Sequence, residues 1–305
     1  MLVIQKTGPA GARVAALGTF DGVHTAHQAL LTSAKELAND LHVPLRVCTF
    51  NRHPLDVLRP NNPPELLSTI PEKALEMFRN GVDEMELMRF DHTTAEIEPE
   101  AFLEKLRSNM TLRAVVAGWN YTFGRKGRGN AELLYEDGKK HGYRVLIVPP
   151  RTLKDGTVIS SSLVRQKLKE GKMEEAAQLL GRDYTLTGKV AQGKHQGKLL
   201  GFPTANIVPW KRKALPKYGV YTCVMSTENT QMPAVANIGI QPTLPSGKVT
   251  VEAHVLQGNP DLYGQRVRIK LLKMIREEKR FQSYEALKEQ IMKDREEALN
   301  LFNMA

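Results

Sequence analysis

The hydrophobic pattern of this chain changes character near Leu179-Leu180-Gly181, and no other feature limits its fold so strongly. Before that point, short apolar runs alternate with amphipathic stretches. Val14 to Leu17, Leu45 to Phe50, Met85 to Phe90, Ala114 to Ala117 and Arg144 to Val148 read as buried strands. Between them, Pro99 to Met110 puts Phe102, Leu103, Leu106 and Met110 on one helical face, and Glu72 to Arg79 does the same with Leu75 and Phe78. This alternation predicts an α/β domain with a doubly wound parallel sheet. After Gly181 the runs are short, β-rich and punctuated by Gly and Pro: Thr185 to Val190, Gly219 to Met225, Val267 to Leu272. They predict a small antiparallel barrel. Ser283 then reads as an N-cap, with Tyr284, Leu287, Ile291, Ala298 and Phe302 near helical spacing, so a terminal helix should pack by one face. The boundary falls near Asp183, giving domains 1–183 and 184–305.

With 305 residues, 41% of them hydrophobic, the chain can build two cores. Its opening Met-Leu-Val-Ile-Gln-Lys-Thr-Gly-Pro is too short for a signal peptide, and nowhere do the about 18 apolar residues of a membrane span run together. A cytoplasmic protein, monomeric or weakly oligomeric, is expected. Cys48 and Cys223 sit far apart in apolar runs, without metal or redox spacing, and read as core residues. The net charge of +10 lies mostly beyond Tyr184 and suits phosphate-bearing partners, though a lysine-rich surface would look the same.

The first strand runs into Gly18-Thr19-Phe20-Asp21-Gly22-Val23-His24-Thr25-Ala26-His27, after which Ala29, Leu30 and Leu31 open a helix. Two histidines three apart at such a turn point one way, toward the sheet edge where open α/β folds bind ligands. The helix N-terminus offers backbone N–H groups to a phosphate, and imidazoles can donate to an oxygen on which charge builds during phosphoryl or nucleotidyl transfer. Two surface histidines are the plain alternative. Three further segments fall at the same edge: Thr49-Phe50-Asn51-Arg52-His53-Pro54, Gly118-Trp119-Asn120-Tyr121-Thr122-Phe123-Gly124 and Ile159-Ser160-Ser161-Ser162-Leu163-Val164-Arg165. Ser160, Ser161 and Ser162 at a helix start, with Arg165 one turn in, form a second phosphate cradle. A simple N-cap would account for one serine only.

Beyond the boundary, Gly188, Gly193, Gly197 and Gly201 are interleaved with lysines including Lys198, which lets backbone amides close around a polyphosphate. Within Pro203-Thr204-Ala205-Asn206, Thr204 and Asn206 face the same way on an extended segment and offer a hydroxyl and an amide oxygen to a hard cation such as Mg²⁺. Glu252, in Thr250-Val251-Glu252-Ala253-His254, lies on an alternating strand, where a carboxylate can accept the proton of an attacking hydroxyl. A lone strand glutamate is more commonly a surface residue.

The ordered set Gly-Thr-Phe-Asp-Gly-Val-His, Thr-Phe-Asn-Arg-His-Pro, Gly-Trp-Asn-Tyr-Thr-Phe-Gly and Ile-Ser-Ser-Ser resembles the N-terminal half of the prokaryotic bifunctional riboflavin kinase/FAD synthetase family, relatives of the HxGH nucleotidylyltransferases. Leu-Gly-Phe-Pro-Thr-Ala-Asn, Tyr218-Gly219-Val220-Tyr221, Asn237 to Thr243, Asp261-Leu262-Tyr263-Gly264 and Ile275 to Phe281 resemble its kinase half. The resemblance covers nearly the whole chain. It implies a Rossmann-like HxGH-type domain followed by a six-stranded antiparallel Greek-key β-barrel with a terminal helix. It also implies riboflavin, FMN and ATP as partners, FAD as product and Mg²⁺ as cofactor. In the first domain it puts His24 and His27 in catalysis, Gly18, Phe20, Asp21 and the serine and arginine set on ATP, and Asn51, His53 and Asn120 on the flavin. In the second it puts the glycine-rich segment through Pro203 on ATP, Thr204 and Asn206 on Mg²⁺, Glu252 as base, and Arg276 and Phe281 beside the flavin.

Three positions depart from the family pattern: Ala26 replaces the glycine of His-x-Gly-His, Asn120 an acid, and Lys198 an arginine. If that glycine takes positive φ or lies against the nucleotide, a methyl costs on the order of 1 kcal/mol or more. The rival these departures leave is a kinase-only relative, or one turned to RNA binding or regulation. Recognisable RNA-binding signatures and an aromatic platform are missing, so nucleic acid is not expected as a partner.

Overall fold

The computed structural model describes residues 2–5 (backbone), 11–191, 202, 204–240, 249–258 and 260–303. The chain divides into two compact units, Met1–Ser161 and Ser162–Ala305.

The first unit runs β1 (Leu2–Gln5), β2 (Ala12–Leu17), α1 (Thr25–Asp40), β3 (Leu45–Phe50), α2 (Leu55–Leu58), α3 (Ile70–Arg79), β4 (Glu84–Met88), α4 (His92–Ala95), α5 (Pro99–Asn109), β5 (Thr111–Gly118), α6 (Ala131–His141) and β6 (Arg144–Val148). Its sheet has the order β1-β4-β3-β2-β5-β6, parallel except for β1, which closes the edge antiparallel to β4. Period-two alternation splits the core into two layers. Val14 and Ala16 of β2 join Val47, Met85 and Val116 beneath α1 and α3, which contribute Leu30, Leu31, Ala34 and Met77. Ala15 and Leu17 face the other way, onto Leu103 and Leu106 of α5 and Leu134 of α6.

Local signals start and stop these helices. Thr69 and Glu72 form a reciprocal capping box at α3 with Pro71 in the first turn, while Asn130 caps α6 and Gly142 ends it in the left-handed region. The face expected for α3 is corrected by one position. Ala74 and Met77 are buried and Leu75 is exposed, because it lies about 100° around the helix from Ala74.

The helix α7 (Ser161–Lys169) begins on the last residue of the first unit, and the second unit continues through α8 (Met173–Leu180), β7 (Tyr184–Ala191), β8 (Ala205–Pro209), β9 (Gly219–Ser226), β10 (Gln231–Ile240), β11 (Val249–Val255), β12 (Arg266–Glu277) and α9 (Tyr284–Asn303). Six strands close an antiparallel barrel in the order β7-β8-β11-β10-β9-β12 and back to β7. Leu186, Ile207, Tyr221, Cys223, Ala236, Val251, Ile269 and Leu271 fill its interior. Cys48 and Cys223 are both buried free thiols, as expected.

Helix α8 packs on β7 and β12. The division by compactness therefore places the helices before Gly181 with the barrel. Ser283 caps α9, its Oγ accepting the Ala286 N–H at 3.2 Å. The covered face of α9 contains Leu287, Ile291, Asp294 and Ala298, whereas Tyr284, expected on it, is 67% exposed. A tyrosine in a first turn can leave its polar tip and ring edge in water at little cost.

Candidate active sites

The order of the parallel strands reverses at β2, whose neighbours β3 and β5 are reached by crossovers on opposite sides. Such a switch point opens a crevice at the carboxyl ends of the strands. Here the loops leaving β2 and β5 border a cavity of about 490 Å³. Gly18, Phe20, His24, Ala26 and His27 form one wall, Trp119, Asn120, Tyr121 and Phe123 another, and His53, Ser160 and Ser161 complete the rim.

His24 is the N-cap of α1 (φ −69°, ψ 170°), and its Nδ1 accepts the His27 N–H at 3.4 Å. An Nδ1 that accepts leaves Nε2 to carry the proton. The two imidazoles stack with centroids 3.6 Å apart and planes 15° apart, and Phe20 meets His27 edge-on at 5.2 Å. His27 Nδ1 has no hydrogen-bond partner. Burial first, then the neighbouring His24 and Lys73, holds the His27 pKa well below the ordinary imidazole value, so this ring is neutral at pH 7. Ala26 lies in the first turn of α1 with no positive φ. The strain half of the expectation for it therefore falls away, leaving a methyl on the cavity wall.

Several motif side chains are held by partners within the protein. The Asp21 carboxylate accepts from the N–H groups of Leu67 at 3.0 Å and Ser68 at 3.2 Å. Asn51 Oδ1 accepts the Phe90 N–H at 3.1 Å, tying the end of β3 to the segment after β4. Ser161 Oγ donates to the Asp21 carbonyl at 2.9 Å. Ser162 and Arg165 lie on α7 in the second unit. Within its rim role, His53 Nδ1 accepts the Leu55 N–H at 3.1 Å at the start of α2.

On the barrel, strand register does the placing. Glu252 of β11 stands opposite Asn206 of β8 on one side and Asn237 of β10 on the other. Val251, Ala253 and Val255 are buried inside, so by alternation these three polar side chains share the outer face. Thr204 is half-buried at the entry to β8. Two residues beyond Glu252, the His254 ring meets Phe202 edge-on at 5.5 Å.

Gly188 sits where β7 crosses β8, and a Cβ there would fall 2.5 Å from Ile207 Cγ2 and 2.6 Å from the Val208 carbonyl oxygen. Arg276 is committed to the terminal helix: its Nε and Nη2 donate to the buried Asp294 carboxylate at 2.9 and 2.8 Å. Its guanidinium also lies 5.6 Å from the centre of the Phe281 ring. The remaining phosphate residues of the motif, Gly193, Gly197, Lys198, Gly201 and Pro203, lie outside the described residues.

Two family models match the chain, FAD synthetase over residues 8–163 and riboflavin kinase over residues 180–302. A bifunctional riboflavin kinase/FMN adenylyltransferase from Listeria monocytogenes is 35% identical, covering 95% of this chain and 92% of its own length. The chain belongs to the bifunctional riboflavin kinase/FMN adenylyltransferase family. A second family member, from Escherichia coli K12, is 34% identical with 95% and 93% covered. A crystal structure described as a macrolide-efflux protein from Streptococcus pneumoniae matches with a TM-score of 0.87 at 32% identity, covering 96% of this chain and 95% of that one. Among the described residues of this family member, no helix is long and apolar enough to cross a membrane. Both family domains are present, and three motif residues that the resemblance puts on ATP or the flavin, Asp21, Asn51 and Arg276, are engaged within the protein with Ser68, Phe90 and Asp294. None of those three partners lies in a motif, so nothing short of the fold could have singled them out.

Proposed function

We infer that this chain makes FAD in two steps, phosphorylating riboflavin on the barrel and adenylylating the resulting FMN in the first unit. The observation that carries the reading is the cavity at the sheet's switch point, with two stacked histidines on a helix N-terminus at its wall. In adenylylation, an FMN phosphate oxygen attacks the α-phosphorus of ATP, a new P–O bond forms as the α–β bridge breaks, and pyrophosphate leaves. This reaction needs positioning and charge stabilisation more than proton transfer. His24 donates from Nε2, and neutral His27 donates without carrying its own charge into the pocket. Gly18 and Phe20 hold the nucleotide side, and Asn120 and His53 the flavin side.

In the kinase step, Glu252 takes the proton of the ribityl hydroxyl as its oxygen attacks the γ-phosphorus, and ADP leaves. The hydroxyl and amide oxygens of Thr204 and Asn206, with a carboxylate opposite Asn206 in register, are a hard-donor set that fits Mg²⁺. When bound, the ion would offset the phosphate charge.

The test is to incubate the purified protein with Mg²⁺-ATP and either riboflavin or FMN, and to separate the flavins by chromatography. FMN from the first and FAD from the second are expected. FMN formed without FAD would overturn the assignment of the first unit and leave a kinase alone.

A further inference from the structure

We infer, resting on the adenylylation reading above, that Lys73 is a positioning residue of that site, its buried ammonium holding the Gly18 to His24 loop in the strained shape that presents the two histidines. Lys73 belongs to none of the motifs. It occupies the first turns of α3, where a lysine would ordinarily reach into water, yet it is 9% exposed. Its Nζ donates to the Thr19 carbonyl at 2.7 Å, and Thr49 Oγ1 donates to the same oxygen at 3.1 Å. Thr19 lines the cavity.

The segment leading into Lys73 grips the loop twice more. Leu67 and Ser68 donate their N–H groups to the Asp21 carboxylate, and Ser68 Oγ accepts the Gly22 N–H at 3.1 Å. Residues 67 to 73 thus hold Thr19, Asp21 and Gly22 in succession. Between these grips the backbone enters the left-handed region at Phe20 (φ 51°), Gly22 (φ 79°) and Val23 (φ 43°). Phe20 and Val23 carry side chains that resist this conformation, and such strain persists only where the surroundings over-determine it. The residue that follows is His24.

Burying an ammonium is costly, and a methionine or glutamine would fill the same space without that cost. What lysine adds is a charged donor, stronger than a neutral one, and a positive charge beside a site meant for polyphosphate. Burial draws the Lys73 pKa below the ordinary lysine value, and the Asp21 carboxylate opposes that by supporting the charge.

The experiment uses the full chain with FMN and Mg²⁺-ATP, comparing wild type, Lys73→Met, Lys73→Arg and Ser68→Ala. Lys73→Met should lower kcat for FAD formation by about 100-fold, the scale of a small misplacement of reacting groups. KM for ATP should change far less, since Lys73 is not among the residues that line the cavity. Lys73→Arg keeps a charged donor and should recover most of the loss. Riboflavin phosphorylation by the same preparations is the reference.

A Lys73→Met kcat within about twofold of wild type would overturn the inference. Should Lys73→Met fail to fold, as judged by circular dichroism, Ser68→Ala decides. It removes one oxygen from the same grip, and unchanged FAD turnover in a folded Ser68→Ala would overturn the inference equally. Wild type that forms no FAD at all would instead bring down the functional reading on which this rests.

Discussion

The two units place their candidate functional residues by different means. On the barrel, pairing alone suffices: Asn206, Glu252 and Asn237 stand in one row because β8, β11 and β10 are hydrogen-bonded in that register. In the first unit, the sheet only brings the ends of β2 and β5 together. The histidines are then aimed by a loop with three left-handed residues, held from outside by Leu67, Ser68 and Lys73. A register-built site inherits the robustness of the ladder, whereas a loop-built site depends on individual side chains far away in sequence.

That contrast can be tested from its largest consequence downward. His27→Ala should lower FAD formation by about 100- to 1,000-fold, as loss of a preorganised donor does, while riboflavin phosphorylation in the same preparation holds its rate. Loss of both reactions together would break the separation of the two sites. Glu252→Gln should produce the mirror image, a fall of roughly 100-fold in kinase turnover with FAD formation from supplied FMN intact. A mutant kinase as fast as wild type removes Glu252 from its role.

Ala26→Gly should do less. With no positive φ to relieve, only crowding of the nucleotide by the methyl remains, and relief of about 1.4 kcal/mol in the transition state would raise FAD formation tenfold. Equal rates would show that the cavity accommodates the methyl as it stands.

The smallest effect is on stability. His27 keeps its folded pKa below its unfolded one, so the unfolded chain binds more protons as pH drops below about 6.5, and the first unit should lose stability there and regain it above. Urea titrations of Trp210→Phe, which leaves Trp119 as the reporter, should show the midpoint falling between pH 7.5 and 5.5. The fall should be smaller in the same background carrying His27→Asn.

Much of this was legible in the sequence. All five parallel strands read from apolar runs are present, the inner ones because a strand covered on both faces leaves a largely hydrophobic signature, and the edge strand β6 although it is only half-buried. The strand that carries Glu252 was legible from alternation, whereas the glutamate itself stood out only through the family resemblance. The antiparallel edge strand β1 was not, and neither were the details that depend on distant partners.

Lys73 looks like any helix lysine until Thr19, 54 residues away, is brought beneath it. Asp294 reads as one more acid in a charged helix, although it is buried against Arg276. Asp21 and Asn51 carry the family pattern, yet their side chains are spent on neighbouring backbone rather than turned to the cavity. Periodicity located α3 and α9, but misjudged Leu75 and Tyr284, since a stripe of apolar residues does not say where the covering surface ends.

The closure of the barrel bears on how the chain is made. The first unit's sheet has all its strands once Val148 has been synthesised, and each parallel strand after β2 finds its place beside one already present. The barrel cannot be finished in that order, because β12, its last strand, is the one that joins β7 to β9. Until Glu277 leaves the ribosome, β7 and β9 are two open edges of an incomplete sheet, able to pair with another nascent chain. Translation speed between Tyr184 and Glu277 therefore sets how long the kinase half spends in its most vulnerable form, while the adenylylating half is already folding behind it.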